Sequence, residues 1–258
     1  MSYRISMAGE EKISFKNRRG DTLSGVLHHP AKGRPGGAVI LCHGMESNKN
    51  SEKLVDLSRA LAEQGIAALR FDFSYAGESS GQFEDITYSG ELEDLRAAHA
   101  FVRDVAPGNI ALFGSSMGGT VALLFAAEEP AIAALVTLAA PLHPERFPQR
   151  ILTAGQIQQW RDRGFADYHG RRLNLALLED LERLNVVASA KKVSCPVLVL
   201  HGDADAVVPV AEAYELDGCL RSPKRLVIFE GGDHRFSNPA HMDRALAEAL
   251  GWLARFVR

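Results

Sequence analysis

Six short apolar runs rich in β-branched residues recur along the chain, at Ala38–Cys42, Ile66–Phe71, Ile110–Phe113, Ala134–Leu138, Val197–Leu200 and Leu226–Phe229. Runs this continuous fit strands buried on both faces, the mark of a parallel sheet. Between them apolar residues fall at helical spacing: Leu54, Leu57 and Leu61; Leu92, Leu95 and His99 with Val102; Val121, Leu124 and Phe125; and Met242, Leu246, Leu250 and Leu253. Strand and helix alternate, so the expectation is an α/β fold with a mostly parallel, doubly wound sheet. Polar–apolar alternation near Ile13–Lys16 and Thr22–His28, around Arg19-Gly20-Asp21, reads as an antiparallel hairpin opening that sheet. From Leu142 to Lys192 no strand-like run occurs. There Trp160, Phe165 and Tyr168 precede Leu177, Leu178, Leu181 and Leu184 at helical spacing, which reads as a small helical cap at 142–192 inserted into a single domain, 1–258. An ordinary connection carrying two packed helices is the plainer alternative.

With 258 residues, 46% of them apolar, the chain is long enough to cover both faces of a central sheet. A formal charge of −3 gives no reason to expect nucleic acid or anionic lipid as a partner, since both select a concentrated positive field. Small-molecule chemistry is expected instead, and nothing in the sequence sets an oligomeric state. Cys42, Cys195 and Cys219 are odd in number and widely spaced, which suggests neither a disulfide framework nor a zinc site. Arg4, Glu10, Glu11, Lys12 and Lys16 leave no apolar core for a secretory signal, so a cytoplasmic location is expected. The charge-free stretch 108–127 approaches the length of a membrane span, but its centre carries several Gly and hydroxyl groups, so a buried strand, turn and helix explain it better.

That centre is Gly114-Ser115-Ser116-Met117-Gly118, between the apolar run Asn109–Phe113 and the small-residue stretch Thr120–Ala127. A nucleophilic serine on a tight strand-to-helix turn requires this context, because Gly at the flanking positions lets the turn close without Cβ collisions. A second match, Gly77-Glu78-Ser79-Ser80-Gly81, has no small-residue helix after it, and Ser79 reads as a structural turn residue. A serine hydroxyl needs a base to take its proton and a carboxylate to orient that base. His234 lies in Glu230-Gly231-Gly232-Asp233-His234, directly after one apolar run, and Asp205 lies in His201-Gly202-Asp203-Ala204-Asp205, just past another. Asp233 adjoins His234, and neighbouring side chains of an extended loop diverge, so the acid is Asp203 or Asp205. The order Ser, Asp, His separates this chain from trypsin-like and subtilisin-like proteases. His28, His29, His143, His169 and His241 pair at no metal-ligand spacing, so no metal site is expected. Cys42 reads as a packing residue.

Together these motifs make the chain resemble an α/β-hydrolase from about Ser14 to Phe256. In that family a His-Gly pair after the third strand opens the oxyanion loop, and here it is His43-Gly44-Met45. The resemblance implies that the backbone N–H groups of Met45 and Met117 hold the developing oxyanion, and that the pattern His-Gly-x-x-Asp-x-x-Val-Pro makes Asp205 the acid. Preorganised donors of this kind stabilise charge that appears only in the transition state. The stretch from Arg70 to Asp85 is similar to the loop after the fourth strand in bacterial cinnamoyl/feruloyl esterases and in monoacylglycerol-lipase-like, serine aminopeptidase S33-type hydrolases. Tyr75-Ala76 departs from it, standing where those relatives usually carry Gly-His.

The expected activity is that of a serine carboxylesterase acting on small to medium acyl or aryl esters through an acyl-enzyme on Ser116, with no cofactor. Trp160, Phe165 and Leu177 of the cap are expected to line an acyl pocket. An aminopeptidase-like or thioester hydrolase on the same machinery is one rival, for which Glu179, Asp180 and Glu182 could anchor a free amine. A non-catalytic ligand-binding protein of the same fold is another.

Overall fold

The computed structural model describes residues 9–30, 35–106 and 108–257; Arg4 of the charged N-terminal stretch lies outside them. Strands β1 (Glu10–Lys16) and β2 (Thr22–His28) form the opening hairpin, and β3 (Gly37–Cys42) starts the parallel part. Helix α1 (Glu52–Glu63), β4 (Ala67–Phe71), α2 (Tyr88–Val105), β5 (Asn109–Ser115), α3 (Met117–Glu128) and β6 (Ile132–Leu138) follow. After the cap come β9 (Val197–Gly202), α8 (Val210–Cys219), β10 (Lys224–Phe229) and α9 (Pro239–Phe256), with the cap's own β7, β8 and α4 to α7 described below. The strands outside the cap join one eight-stranded sheet in the order β1-β2-β4-β3-β5-β6-β9-β10. β1–β2 and β2–β4 pair antiparallel and the remaining neighbours pair parallel.

Strand alternation splits the core in two. Ala38, Ile40 and Cys42 of β3 face the side covered by α2 and α3, with Leu95, Val102 and Val121. Val39 and Leu41 face the other side, packed with Leu54, Leu57 and Leu61 of α1 and Ala249, Trp252 and Leu253 of α9. Each helix thus needs one apolar stripe, which is what the helical spacings encode. Helix α3 is the exception, buried nearly all round, because it runs against the sheet and under the cap helix α7 (Val186–Ala190). The charge-free stretch 108–127 divides between β5 and α3, and no helix among the described residues is long and apolar enough to cross a membrane.

The cap lies between β6 and β9 and is not wholly helical. It holds α4 (Phe147–Ile151), α5 (Ala154–Arg163), α6 (Leu175–Arg183) and α7, but also a hairpin of β7 (Phe165–Tyr168) and β8 (Arg171–Asn174). His169 and Gly170 form its turn at φ 49° and 78°. Two consecutive residues at positive φ match the right-handed twist of the flanking strands, so His-Gly does here what Asn-Gly does more often. The cap is tied down by polar contacts at its edges. Ser89 at the start of α2 donates its hydroxyl to Asp180 at 2.5 Å and its N–H at 3.0 Å, and Asn174 donates to Asp85 at 2.7 Å. Buried Glu212 of α8 accepts the N–H groups of Leu142 and His143 at 2.8 and 3.0 Å and pairs with Arg150.

His143, at the cap's entrance, lies between Glu145 at 2.8 Å and Glu215 of α8 at 2.9 Å. Burial disfavours its cation, but the two carboxylates outweigh that and raise its pKa above the ordinary 6.5. A histidine with a raised folded pKa contributes stability that is fully present below the unfolded value and lost as pH rises through the folded one. Both glutamates are half exposed, so the contribution is at most about 1 kcal/mol. The melting temperature difference between wild type and His143→Gln should therefore be about 2–4 °C at pH 5.5 and vanish by pH 8.5, as read by calorimetry. A difference that grows with pH would contradict this account.

Candidate active site

The end of β5 and the start of α3 meet at Ser116, whose backbone sits at φ 52°, ψ −125°. A non-glycine residue there is strained and persists only where its surroundings over-determine it. The surroundings do so by backbone contact. Ser116 donates its N–H to Leu138 at 2.8 Å, and its carbonyl accepts from Gly119 at 2.8 Å. A Cβ on Gly118 would lie 2.2 Å from the His43 carbonyl oxygen, and one on Gly114 would lie 2.3 Å from the Gly118 oxygen. Side chains at these positions would push the turn away from β3, so the glycines set the distance between the serine and the loop that follows β3.

The base arrives from the far side of the sheet. His234 Nε2 is 3.0 Å from Ser116 Oγ and His234 Nδ1 is 2.8 Å from Asp205 Oδ2. With Nδ1–H donated to the carboxylate, Nε2 is left as the acceptor that faces the serine hydroxyl. Asp205 is buried and its other oxygen accepts the N–H groups of Val207 and Val208 at 2.8 and 2.7 Å. Burial alone would raise its pKa, but hydrogen bonds from His201, His234 and the Val208 backbone hold it far below the usual carboxylate range. The acid is therefore ionised wherever the protein is folded near neutral pH. The loops carrying acid and base touch directly, since a Cβ on Gly202 would lie 2.1 Å from the Gly232 carbonyl oxygen. The alternative acid, exposed Asp203, accepts the Gly231 N–H at 2.7 Å, and Asp233 accepts the Ser237 N–H at 2.8 Å; both hold loop backbone. Ser79 likewise ties β2 to β4, accepting from Ser24 N–H at 2.9 Å and donating to the Asp72 carbonyl at 2.7 Å.

The loop after β3 crosses beside the serine, with the Gly44 Cβ position 3.2 Å from Ser116 Cβ. Met45 and Met117 both border the cavity in front of Ser116. The loop's path is fixed by buried polar groups. His43 Nε2 accepts the Phe73 N–H at 3.1 Å, so Nδ1 carries the proton and donates to the Gly44 carbonyl at 2.8 Å. Burial lowers the His43 pKa and keeps the ring neutral, as that pairing requires. Fully buried Asp72 accepts from the Lys49 backbone at 2.7 Å, from the Lys49 ammonium and from the Glu78 N–H at 2.9 Å. Removing that carboxylate would leave the buried Lys49 ammonium with Glu78, at 2.7 Å, as its remaining carboxylate partner and the Lys49 and Glu78 N–H groups without their acceptor.

A cavity of about 480 Å³ opens over Ser116. The cap contributes Pro144, Phe147, Arg150, Tyr168 and His169 to its wall, and α1 and α2 contribute Lys53 and Tyr88. Trp160, Phe165 and Leu177, expected from the sequence to line an acyl pocket, are absent from this wall. Trp160 is 1% exposed and Leu177 2% exposed, both packed into the core beneath the cap. Phe165 lies between the Arg163 and Arg172 guanidinium groups, whose centres are 4.4 and 4.3 Å from its ring centroid. The hairpin explains the placing of Phe165, because alternation along β7 sends Phe165 and Tyr168 to opposite faces, while Trp160 and Leu177 are the buried sides of helices α5 and α6. Glu179, Asp180 and Glu182 also lie off the wall, Asp180 bonded to Ser89 and Glu182 paired with Arg161.

Among the described residues no group of three or more His, Cys, Asp or Glu is placed to hold a metal ion. Cys42 is fully buried, and burial pushes its thiol well above the ordinary range. The same effect raises Cys195 to about 11.

The family model described as serine aminopeptidase, S33, matches residues 33–163. The mouse palmitoyl-protein thioesterase ABHD10, a mitochondrial protein, is 29% identical over 237 residues, covering 88% of this chain and 78% of the mouse protein. An esterase domain from Rhodothermus marinus is 29% identical, with a TM-score of 0.76, covering 97% of this chain and all of the other. Est1E from Butyrivibrio proteoclasticus, solved with ferulic acid bound, is 25% identical, with a TM-score of 0.85, covering 95% of this chain and 99% of that one.

The glycine contacts yield a direct test. Gly118→Ala places a methyl against two backbone carbonyls and should lower stability by about 1–3 kcal/mol. It should also slow labelling of Ser116 by a serine-directed phosphonate by about 100-fold, since displacements near 1 Å have that effect. Gly155→Ala meets nothing within 4 Å and serves as the control, with stability equal to or slightly above wild type. Equal labelling rates in the two variants would show that the turn tolerates displacement.

Proposed function

From the premise that this chain belongs to the serine aminopeptidase S33 family and is an α/β-hydrolase of the esterase type, we propose that it is a serine carboxylesterase acting through an acyl-enzyme on Ser116. The observation that carries this reading is the continuous relay from Asp205 through His234 to Ser116, at 2.8 and 3.0 Å, in front of a cavity that admits a small or medium ester. In this scheme Ser116 Oγ attacks the ester carbonyl as its proton passes to His234 Nε2. The carbonyl oxygen becomes an oxyanion, to which the backbone N–H groups of Met45 and Met117 would donate. Met117 opens α3, and the free N–H groups and dipole of a helix N-terminus favour the same charge. The His234 imidazolium then gives its proton to the departing alcohol. Water attacks the acyl-enzyme with His234 again as base, releasing the acid and restoring the serine.

A thioester is the second reading, supported by the similarity to the mouse palmitoyl-protein thioesterase, and the same relay would serve it with a thiol as leaving group. A free-amine substrate is less well supported, because the three cap carboxylates that could anchor it are spent on other contacts or lie off the cavity wall.

Ser116→Ala should lower turnover of an aryl acetate by about 10⁴- to 10⁶-fold while leaving the melting curve unchanged. A serine-directed phosphonate should modify Ser116 and leave Ser79 free, as read by peptide mass spectrometry. A label on Ser79, or near-normal turnover in the alanine variant, defeats the proposal.

The two aspartates separate by the same assay. Asp205→Asn should reduce kcat by about 10⁴-fold, because the amide cannot hold the imidazole in the required tautomer. Asp203→Asn keeps an oxygen for the Gly231 N–H and should cost less than about 10-fold. Comparable losses in both would remove Asp205 from its assigned role.

A further inference from the structure

Although the chain carries a net charge of −3, the cavity wall carries an excess of positive charge. Lys53, Arg150 and Arg235 stand there against Glu46. Arg150 is answered by Glu212, and Glu46 faces His169 at 3.3 Å and the Tyr168 hydroxyl. Lys53 and Arg235 are different. Neither has an ion-pair partner among the described residues, and Lys53 Nζ donates to the neutral Ser115 hydroxyl at 3.1 Å. Asp233 is the carboxylate that acts on Lys53, but it is capped by the Ser237 N–H. Burial lowers the Lys53 pKa and the neighbouring Arg235 lowers it further, and the attraction of Asp233 offsets these only in part. Both cations line the same cavity as Ser116 and His234, and Lys53 reaches Ser115 there.

Resting on the ester-hydrolase reading, we propose that the substrate carries its own carboxylate or phosphate a few bonds from the scissile ester, and that Lys53 and Arg235 bind this anion. A concave, partly dry site concentrates such a field and draws an anionic substrate to it. A site whose cations await a partner discriminates strongly against the neutral analogue, which leaves them unpaired. The anion can enter on either arm of the ester, and the two arms can be tested apart.

For the acyl arm, monoethyl succinate, glutarate and adipate are compared with ethyl butanoate, pentanoate and hexanoate. For the alcohol arm, butanoyl esters of glycolate and of 2-hydroxyethyl phosphate are compared with ethyl butanoate. On at least one arm kcat/KM should favour the charged ester by about 10-fold or more, and the ratio should fall as salt screens the interaction. Lys53→Met and Arg235→Gln should each reduce the charged-to-neutral ratio by about 10-fold, mainly through KM. Exposed Arg235 carries the test by itself if Lys53→Met does not fold. Neutral preference on both arms, or ratios unmoved by both substitutions, would overturn the proposal. If the wild type hydrolyses no ester at all, the esterase reading is what fails. Calorimetric binding of glutarate and of inorganic phosphate to Ser116→Ala then decides the anion site without turnover: binding weakened about 10-fold by Arg235→Gln upholds it, and no binding of either ion overturns it.

Discussion

Everything at the centre of this molecule depends on how closely two stretches of backbone approach, the turn carrying Ser116 and the end of β3. Gly118 lies against the Cys42 and His43 carbonyls with no room for a Cβ, and Gly114 and Gly119 close the turn on its other side. Once the turn is seated, Ser116 must take its positive φ, and its hydroxyl must leave the sheet toward the loop of Gly44 and Met45. The strain of that conformation is of order 1–3 kcal/mol and is sustained by the strand pairing on both sides, Leu41↔Phe113 and Ser115↔Leu138. The sheet is thus the device that sets a few ångströms at one turn.

The loops around that turn are held by buried polar groups as well as by the backbone approach of Gly202 to Gly232. His43 needs both ring nitrogens to bridge Phe73 and Gly44, and Asp72 needs both oxygens to gather Lys49 and Glu78. Asp205 divides its oxygens in the same way, one to the loop amides of Val207 and Val208 and one to His234. In each case the side chain is saturated, so rotating it would leave a buried donor or acceptor without a partner. Saturation holds these groups in place where packing alone would permit more than one rotamer.

The parallel sheet, the opening hairpin and four of the five helices that flank it, α8 being the exception, were legible in the sequence because each has a period that its burial enforces. Ile40 and Leu41 both had to be apolar for β3 to be covered on two faces, and Leu54, Leu57 and Leu61 had to share one stripe of α1. Ser116, His234 and Asp205 were legible because strand-end turns have strong local grammar. Asp203 and Asp205 could be separated only by resemblance, since what decides between them is which one meets a ring 29 residues away. The cap failed for a physical reason. Its hairpin turns on His169-Gly170, a weaker signal than Asn-Gly, and its strands are only four residues long. Missing it put Phe165 on the wrong face and left Tyr168, named among the cap aromatics, without its place on the cavity wall. His201 and Lys53 were missed because their significance is tertiary: one stands 3.3 Å behind Asp205, the other reaches Ser115 across 62 positions of sequence.

This division says where the chain can change without losing its chemistry. The groups assigned to bond making lie at strand ends, where position is fixed by sheet pairing and by glycine contacts that exclude alternatives. Much of the cavity wall comes from outside the sheet: Phe147 from a short helix, Tyr168 and His169 from a hairpin tip, Arg235 from a loop, Lys53 from the first turn of a helix. Phe147 and Tyr168 also pack against the core, but His169 and Arg235 are exposed, so replacing those two alters the shape and charge of the cavity at little cost to the fold. Lys53 alone among them is partly buried and in no ion pair among the described residues, with Asp233 acting on it only from a distance. Its hydrogen bond to Ser115 does not require a full positive charge, so the charge itself is the feature that an anionic substrate would use.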